Sequence, residues 1–104
     1  EELHRWMEDG RPVQLVDART DLEYQQGTIR DARHAPLTET PGAIDRLELN
    51  PDRPVVLLCL SGHRSRPGTR YLRARGLEAY SLSGGVSAWR RMGFPLRKPG
   101  GSNE

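Results

Sequence analysis

The segment with the clearest chemical potential begins at Cys59, the single cysteine of the chain. Cys59 lies near the end of a six-residue apolar run, Val55 to Leu60, and the polar residues Ser61 to Ser65 follow that run. A run without alternation predicts a strand that is covered on both faces. The thiol is therefore expected where a buried strand ends and a loop begins, a position from which a thiolate can act as a nucleophile.

The loop sequence CLSGHRS, residues 59–65, has the composition of an anion-binding turn. Gly62 permits the tight curvature that turns several main-chain N–H groups inward, and the helix predicted after the loop adds its positive end. Arg64 adds a permanent positive charge whose planar fork can hold an oxyanion. This field would lower the pKa of the Cys59 thiol and favour its thiolate. The alternative from the residues alone is an inert thiol at the end of an apolar strand.

Short strands and helices alternate along the chain around this loop. Strands are predicted at 13–17, 54–60 and 77–82, with a brief strand or a turn at 35–37. Helices are predicted at 3–10, 21–26, 42–49 and 66–75, and a last helix follows Gly85. The alternation predicts an α/β fold, with a parallel sheet of about four or five strands, helices on both faces and strand 54–60 at its centre. In such sheets ligands bind beyond the carboxyl ends of the strands, where Cys59 is expected.

The size and charge of the chain exclude several classes of protein. Its 104 residues are the length of one domain, and the longest apolar run is far below the roughly twenty residues of a transmembrane helix. Sixteen basic and fourteen acidic residues leave a net charge of +2, too balanced for a general nucleic-acid binder. One cysteine allows neither an internal disulfide nor a cysteine-based zinc site. We therefore expect a cytoplasmic protein that binds neither nucleic acid nor membrane.

The loop CLSGHRS resembles the C-x-x-G-x-R-S active-site loop of the rhodanese family of sulfurtransferase domains. Four further segments resemble family segments in the same order. Residues 13–19 resemble the strand that ends in Asp-Val-Arg, and residues 23–29 resemble the Glu-x-x-x-Gly-His-Ile segment. Residues 35–37 resemble the Ile-Pro-Leu that follows, and residues 82–89 resemble the Gly-Gly…Trp ending. Five matches in order are far more specific than any one of them. The resemblance implies a rhodanese-like domain over residues 1–97, and the composition of residues 98–104 predicts a flexible tail.

The chain departs from the family pattern at a few positions. Thr28 stands where a histidine is usual, Asp31 where a glycine is usual, and Pro67-Gly68 where small helix formers are usual. A proline fits only the first helical turn, and a glycine costs about 1 kcal/mol relative to alanine in a helix interior. The departures are therefore expected to affect the stability of the helix after the loop more than the chemistry of the loop. The family also has a short strand before its first helix, so we expect a segment upstream of Glu1.

The resemblance implies a two-step sulfur transfer. The Cys59 thiolate would attack the outer sulfur of thiosulfate or a similar donor, release sulfite and become a persulfide. An acceptor such as cyanide, a thiol or a protein cysteine would then take that sulfur. Main-chain N–H groups of the substrate-binding residues would stabilise the persulfide and the leaving oxyanion. These residues are Leu60, Ser61, Gly62, His63, Arg64 and Ser65. No metal or organic cofactor is implied.

Two other functions remain open for the same loop. A sulfur-carrier or regulatory module would accept sulfur from a partner protein, or bind that partner, and turn over little by itself. Phosphatase or arsenate reductase activity is the weaker alternative, because cysteine-dependent phosphatases use a C-x5-R loop. Here Arg64 is the fifth residue after Cys59 and Ser65 is the sixth, and the shorter ring suits a single sulfur atom better than a phosphate.

The remaining polar and aromatic candidates are interpreted as structural. Asp17 and Arg19 are expected to form an ion pair or hydrogen-bond anchor, with Glu23 in the same anchoring set. The other expectations are an exposed loop position for His63, surface or core-edge positions for His4 and His34, and core positions for Trp6 and Trp89. A basic run is interpreted as a solvated helix face that can also steer an anion or an acidic partner towards Cys59. It comprises Arg64, Arg66, Arg70, Arg73 and Arg75.

Overall fold

The computed structural model describes residues 2–36, 42–59 and 65–98. Within these ranges helices and strands alternate, as the sequence predicts. The helices are α1 (Glu2–Glu8), α2 (Asp21–Gln26), α3 (Gly42–Arg46), α4 (Arg66–Ala74) and α5 (Gly85–Arg91). The strands are β1 (Gln14–Asp17), β2 (Arg33–His34), β3 (Val55–Leu58) and β4 (Ala79–Ser81). None of these helices is long and apolar enough to cross a membrane. The predicted tail lies, apart from Lys98, outside the described residues.

The described strands form one parallel sheet in the order β2-β1-β3-β4. Strand β3 pairs with β1 on one side and with β4 on the other, and all four of its residues are buried. The predicted central position of this strand is therefore confirmed. A strand that is apolar at every position needs cover on both faces, and β3 lies between two strands and two helical layers.

Helices cover both faces of the sheet, so the protein has two apolar layers. On one face Val55 and Leu57 pack in a cluster with Ile44 of α3 and Leu72 of α4. On the other face the cluster comprises Leu3 of α1, Leu15, Ile29, Ala32, Val56, Leu58, and Val86 and Trp89 of α5. Alternate residues of β3 thus supply both clusters. The predicted α/β fold with helices on both faces is confirmed.

Several elements differ from their predicted bounds, among them β2 and α3. The second strand is Arg33–His34 and ends before the predicted segment 35–37, of which Leu37 lies outside the described residues. The Ala35 N–H still donates to the Asp17 carbonyl at 3.0 Å, but the Arg19 N–H, which would form the next bond of the ladder, donates to Asp17 Oδ1 instead. Helix α3 ends at Arg46 instead of continuing to residue 49. Glu48 has φ 52, a left-handed conformation that an α-helix cannot contain.

The turn at Asp31 offers a test of backbone strain. The Ala32 N–H donates to the Ile29 carbonyl at 3.1 Å, and Asp31 within this turn has φ 69. A left-handed conformation favours glycine, so Asp31→Gly is expected to raise the free energy of unfolding by about 0.5 to 1 kcal/mol. The matched control is Asp31→Ala, which removes the same carboxylate but keeps a Cβ. Urea denaturation should show the gain for glycine alone, and an equal gain for alanine would contradict the strain argument.

Candidate active site

Cys59 lies directly after β3, at the carboxyl end of the central strand, as the sequence predicts. Its side chain is fully buried, with 0% of its surface exposed. Its carbonyl accepts a hydrogen bond of 2.8 Å from the N–H of Val86, in the first turn of α5. The start of the loop is therefore held by β3 and by α5. The predicted substrate-binding residues Leu60 to Arg64 lie outside the described residues.

Ser65 is the residue at which the described structure resumes after the loop. It occupies the N-cap position of α4 and is fully buried. Its hydroxyl is hydrogen-bonded to the hydroxyl of Ser81, the last residue of β4. Its carbonyl accepts from both the N–H and the Oγ1 of Thr69, each at 3.0 Å. The end of the loop is therefore held by α4 and by β4.

The Pro67-Gly68 pair lies at the start of helix α4, where a proline does not disrupt the helix. Pro67 lies in the first helical turn, where the N–H that a proline lacks has no partner within the helix. Gly68 lies on the buried face of the helix together with Thr69 and Leu72. The expectation that Pro67 must lie in the first turn is confirmed.

The basic run on α4 divides into two kinds of residue. Arg66 and Arg70 are exposed on the helix surface. Arg73 and Arg75 are also exposed, and in addition Arg73 donates from Nε to the Ala79 carbonyl at 2.7 Å and Arg75 donates from Nη1 to the Tyr71 hydroxyl at 3.2 Å. The interpretation as a solvated face is therefore confirmed for the described arginines, and Arg73 also binds the main chain of β4. Arg64 lies outside the described residues.

A buried ion pair lies at the end of β1, beside the candidate site. Asp17 and Arg19 are 0% and 3% exposed, and Arg19 Nη2 lies 2.8 Å from Asp17 Oδ2. The Arg19 main-chain N–H and Nε both donate to Asp17 Oδ1 at 3.0 Å. Thr28 donates its hydroxyl proton to Asp17 Oδ2 at 2.7 Å, and Arg19 Nη2 also donates to the Gly27 carbonyl at 2.5 Å. The predicted ion pair is confirmed, and Thr28 is one of its partners.

The segment that contains this ion pair is bonded to β3, the strand that ends directly before Cys59. Ala18, which lies between the two charged residues, donates its N–H to the Leu58 carbonyl at 2.8 Å. Glu23, which the sequence placed in the same anchoring set, forms a capping box at the start of α2. The Thr20 N–H donates to Glu23 Oε1 at 3.1 Å, and the Glu23 N–H donates to Thr20 Oγ1 at 3.3 Å.

His34 and Tyr24 form a stacked pair beside the ion pair. Their ring centroids are 4.3 Å apart and their planes differ by 4°. His34 Nε2 lies 2.8 Å from the Arg19 carbonyl, and Nδ1 lies 3.3 Å from Asp21 Oδ1. Burial, and then the negative charge of Asp17, raise the pKa of the Tyr24 phenol. The phenol therefore stays protonated and donates to the Ala32 carbonyl at 3.5 Å.

The other aromatic candidates lie at structural positions. His4 is half-buried and stacks on Phe94 with a centroid distance of 4.0 Å. Trp89 is buried in the apolar cluster of α1 and α5, and Trp6 packs at its edge. The predicted core-edge position of His4 and the core position of Trp89 are confirmed, and that of Trp6 holds in part. Among residues 2–36, 42–59 and 65–98, no group of three metal-ligating side chains could hold a metal ion.

Ser65, Thr69 and Ser81 form a hydroxyl cluster that was not predicted from the sequence. Ser81 belongs to a strand in which apolar and polar residues alternate, and this pattern predicts that the serine faces the solvent. The position of Ser81 along the chain could have indicated this contact. Ser81 ends β4, β4 neighbours β3, and the carboxyl end of β3 leads into the loop that begins at Cys59. Ser65 was predicted as a substrate-binding residue, and its hydroxyl binds Ser81 in the structure.

Comparison with known proteins places this geometry in a family. Residues 1–92 match the rhodanese-like domain. A sulfurtransferase of Allochromatium vinosum is 40% identical over 102 residues, which cover 97% of this chain and 94% of that protein.

Solved structures agree with the sequence match. The crystal structure of a rhodanese-like domain protein from Staphylococcus aureus has a TM-score of 0.77 at 30% identity, covering 99% of this chain and 92% of that chain. The crystal structure of a protein from Staphylococcus saprophyticus has a TM-score of 0.75 at 31% identity, and the match covers 85% of this chain and 86% of that chain. This chain therefore belongs to the rhodanese-like domain family and is, by sequence, a relative of its sulfurtransferases.

Proposed function

We propose that this protein is a sulfurtransferase that carries sulfur as a persulfide on Cys59, with thiosulfate or a similar sulfane compound as the donor. The observation that carries the proposal is the position of Cys59 at the carboxyl end of the central strand, directly before the loop that leads into α4. A strand end that faces a helix N-terminus is the place where parallel sheets bind anions. Membership of the rhodanese-like family supports the same chemistry.

In the proposed first step the Cys59 thiolate attacks the outer sulfur of thiosulfate. A new S–S bond forms to Cys59, the S–S bond of thiosulfate breaks, and its electron pair leaves with sulfite. In the second step an acceptor such as cyanide, a thiol or a protein cysteine attacks the terminal sulfur. The S–S bond to Cys59 breaks, and the thiolate is regenerated. Neither step requires an external oxidant or reductant.

The loop residues supply the proposed electrostatic stabilisation. The main-chain N–H groups of Leu60 to Ser65 would bind the persulfide and the oxyanion of the donor, and Arg64 would hold that oxyanion. For Ser65 the contribution is assigned to the main chain, because its hydroxyl binds Ser81. The location in the cell is proposed to be the cytoplasm, where the single thiol would be kept reduced.

The burial of Cys59 suits a persulfide intermediate. Its side chain is 0% exposed in a neighbourhood that includes Leu58, which is also fully buried. A site that excludes water strengthens every interaction with a localised charge and limits side reactions of a reactive intermediate. We therefore propose that the sulfur is held out of contact with bulk thiols until an acceptor enters the site.

One assay with the wild-type protein tests the proposal. The protein is incubated with thiosulfate, its intact mass is measured, cyanide is added and thiocyanate is quantified. We expect the mass of one added sulfur atom, followed by thiocyanate and return to the original mass. Loading without turnover would favour the carrier function. The absence of loading, or phosphate release from an aryl phosphate instead, would contradict the proposal.

A further inference from the structure

We propose that Ser81 is a positioning residue for the reaction at Cys59: its hydroxyl fixes the end of the loop that Cys59 begins. Ser81 is the last residue of β4 and lies on a different element from both Cys59 and α4. The inference rests on the proposed function where sulfur transfer is measured. The contacts from which it is argued come from the structure.

The conformation of Ser65 is the first observation behind this proposal. A serine at an N-cap usually has an extended backbone, and its hydroxyl accepts a hydrogen bond from an N–H in the first helical turn. Ser65 instead has φ −82 and ψ −9, and its side chain makes no capping hydrogen bond. The hydroxyl is hydrogen-bonded to Ser81 across 16 residues of sequence. A local capping interaction has thus been replaced by a contact between α4 and β4.

Burial makes this contact important for the position of Ser65. Ser65 is 0% exposed, so water is no substitute for a lost partner of its hydroxyl. Thr69 has one hydroxyl proton and lies 3.0 Å from the Ser65 carbonyl but 3.5 Å from Ser81 Oγ. We therefore assign that proton to the Ser65 carbonyl, so Thr69 does not donate to Ser81, and the Ser65 and Ser81 hydroxyls bind each other.

The other end of the loop is held by the same part of the chain. The Cys59 carbonyl accepts from the Val86 N–H at 2.8 Å, and Val86 follows Ser81 by five residues. The connection between them contains Gly84, which has φ 73 and whose hypothetical Cβ would lie 2.5 Å from the Ala88 Cβ. Residues 81–86 therefore contact both ends of the loop.

This arrangement matters for catalysis because the loop is proposed to act through its main-chain N–H groups. Such donors are effective only when they are preorganised around the position where charge develops. A displacement of about 1 Å can reduce a rate by about a hundredfold. Release of Ser65 would therefore weaken the proposed stabilisation of the Cys59 thiolate without removing any of the proposed donors.

The central experiment compares Ser81→Ala with Ser81→Thr and Ser83→Ala. Ser83 is exposed, lies two residues from Ser81 and is the matched control for loss of a serine hydroxyl. Thiosulfate-to-cyanide transfer is measured at saturating thiosulfate, after circular dichroism confirms the fold. We expect kcat of Ser81→Ala to fall about tenfold, while Ser83→Ala keeps the wild-type value and Ser81→Thr retains at least about half of it.

A second readout does not depend on sulfur transfer. The rate of Cys59 alkylation by iodoacetamide is measured against pH for the same three variants. A loosened loop stabilises the thiolate less, so the midpoint of the alkylation profile for Ser81→Ala should move to higher pH. If the wild-type protein takes no sulfur from thiosulfate, the proposed function fails, and this profile still decides the role of Ser81.

Ser65→Ala provides a second approach if Ser81→Ala does not fold. It removes the other hydroxyl of the pair and should shift the alkylation profile in the same direction. The double variant should lose no more activity than either single variant, because both substitutions remove the same hydrogen bond. The proposal is overturned if Ser81→Ala matches Ser83→Ala in both measurements. Impairment of Ser81→Thr as severe as that of Ser81→Ala would also overturn it.

Discussion

Replacement of Cys59 by serine is expected to abolish sulfur loading and to reduce thiocyanate formation at least about a thousandfold. A serine hydroxyl stays protonated near neutral pH and cannot form a persulfide. Serine is close to cysteine in size, so the fully buried position should remain filled and the fold should persist. The measurement is intact mass after incubation with thiosulfate, together with thiocyanate release after addition of cyanide.

A relocated thiol provides the matched control for this prediction. The double variant Cys59→Ser/Ser83→Cys again contains one cysteine, at an exposed position. If the environment of Cys59 creates the reactivity, this thiol should neither load from thiosulfate nor restore turnover. Recovery of activity by the relocated thiol, or persistence of loading in Cys59→Ser, would contradict the assignment of Cys59 as the nucleophile.

The largest expected effect on stability is at the buried ion pair. Asp17→Ala removes the carboxylate that accepts hydrogen bonds from Arg19 and Thr28, and it leaves the Arg19 guanidinium 3% exposed without that partner. Removal of one partner of a buried pair costs about 3 to 5 kcal/mol, a large part of the roughly 5 to 15 kcal/mol that stabilises a domain. Urea denaturation should therefore show a midpoint far below that of the wild-type protein.

Two further variants distinguish charge burial from loss of a carboxylate in general. Asp21 Oδ1 lies 3.3 Å from His34 Nδ1, but the Asp21 side chain is 88% exposed, so Asp21→Ala should change the midpoint much less. The double variant Asp17→Ala/Arg19→Ala should be less destabilised than the sum of the single variants, because no charge is left buried. Equal effects of Asp17→Ala and Asp21→Ala would show that burial of the pair is not the cause.

The elements with strong local signals could be predicted from the sequence. The continuous apolar run of β3 is typical of a strand at the centre of a covered sheet, and α2 begins and ends at the predicted Asp21 and Gln26. Strand β2 could not be placed in the same way. It has two residues, and its position is determined by pairing with Val16 and Asp17, which no local pattern encodes.

For the candidate site, the sequence predicted the place of Cys59 and the ion pair but not the contacts that hold the loop. The place follows from the end of an apolar run, and the ion pair follows from two opposite charges at the end of a strand. The Ser65–Ser81 hydrogen bond joins two small polar residues on different elements, and neither has a periodicity that reveals burial. Arg73 is exposed as predicted, but its bond to the Ala79 carbonyl could not be predicted, because that bond depends on how α4 packs beside β4.

The residues that hold the loop are made after the loop itself. Ser81 and Val86 follow Cys59 in the chain, so a nascent polypeptide carries the thiol before it carries either contact. The 27 residues from Cys59 to Val86 take about 1 to 5 seconds to synthesise at 5–20 residues per second. Until both residues have been added, the packing that buries the Cys59 sulfur cannot be complete.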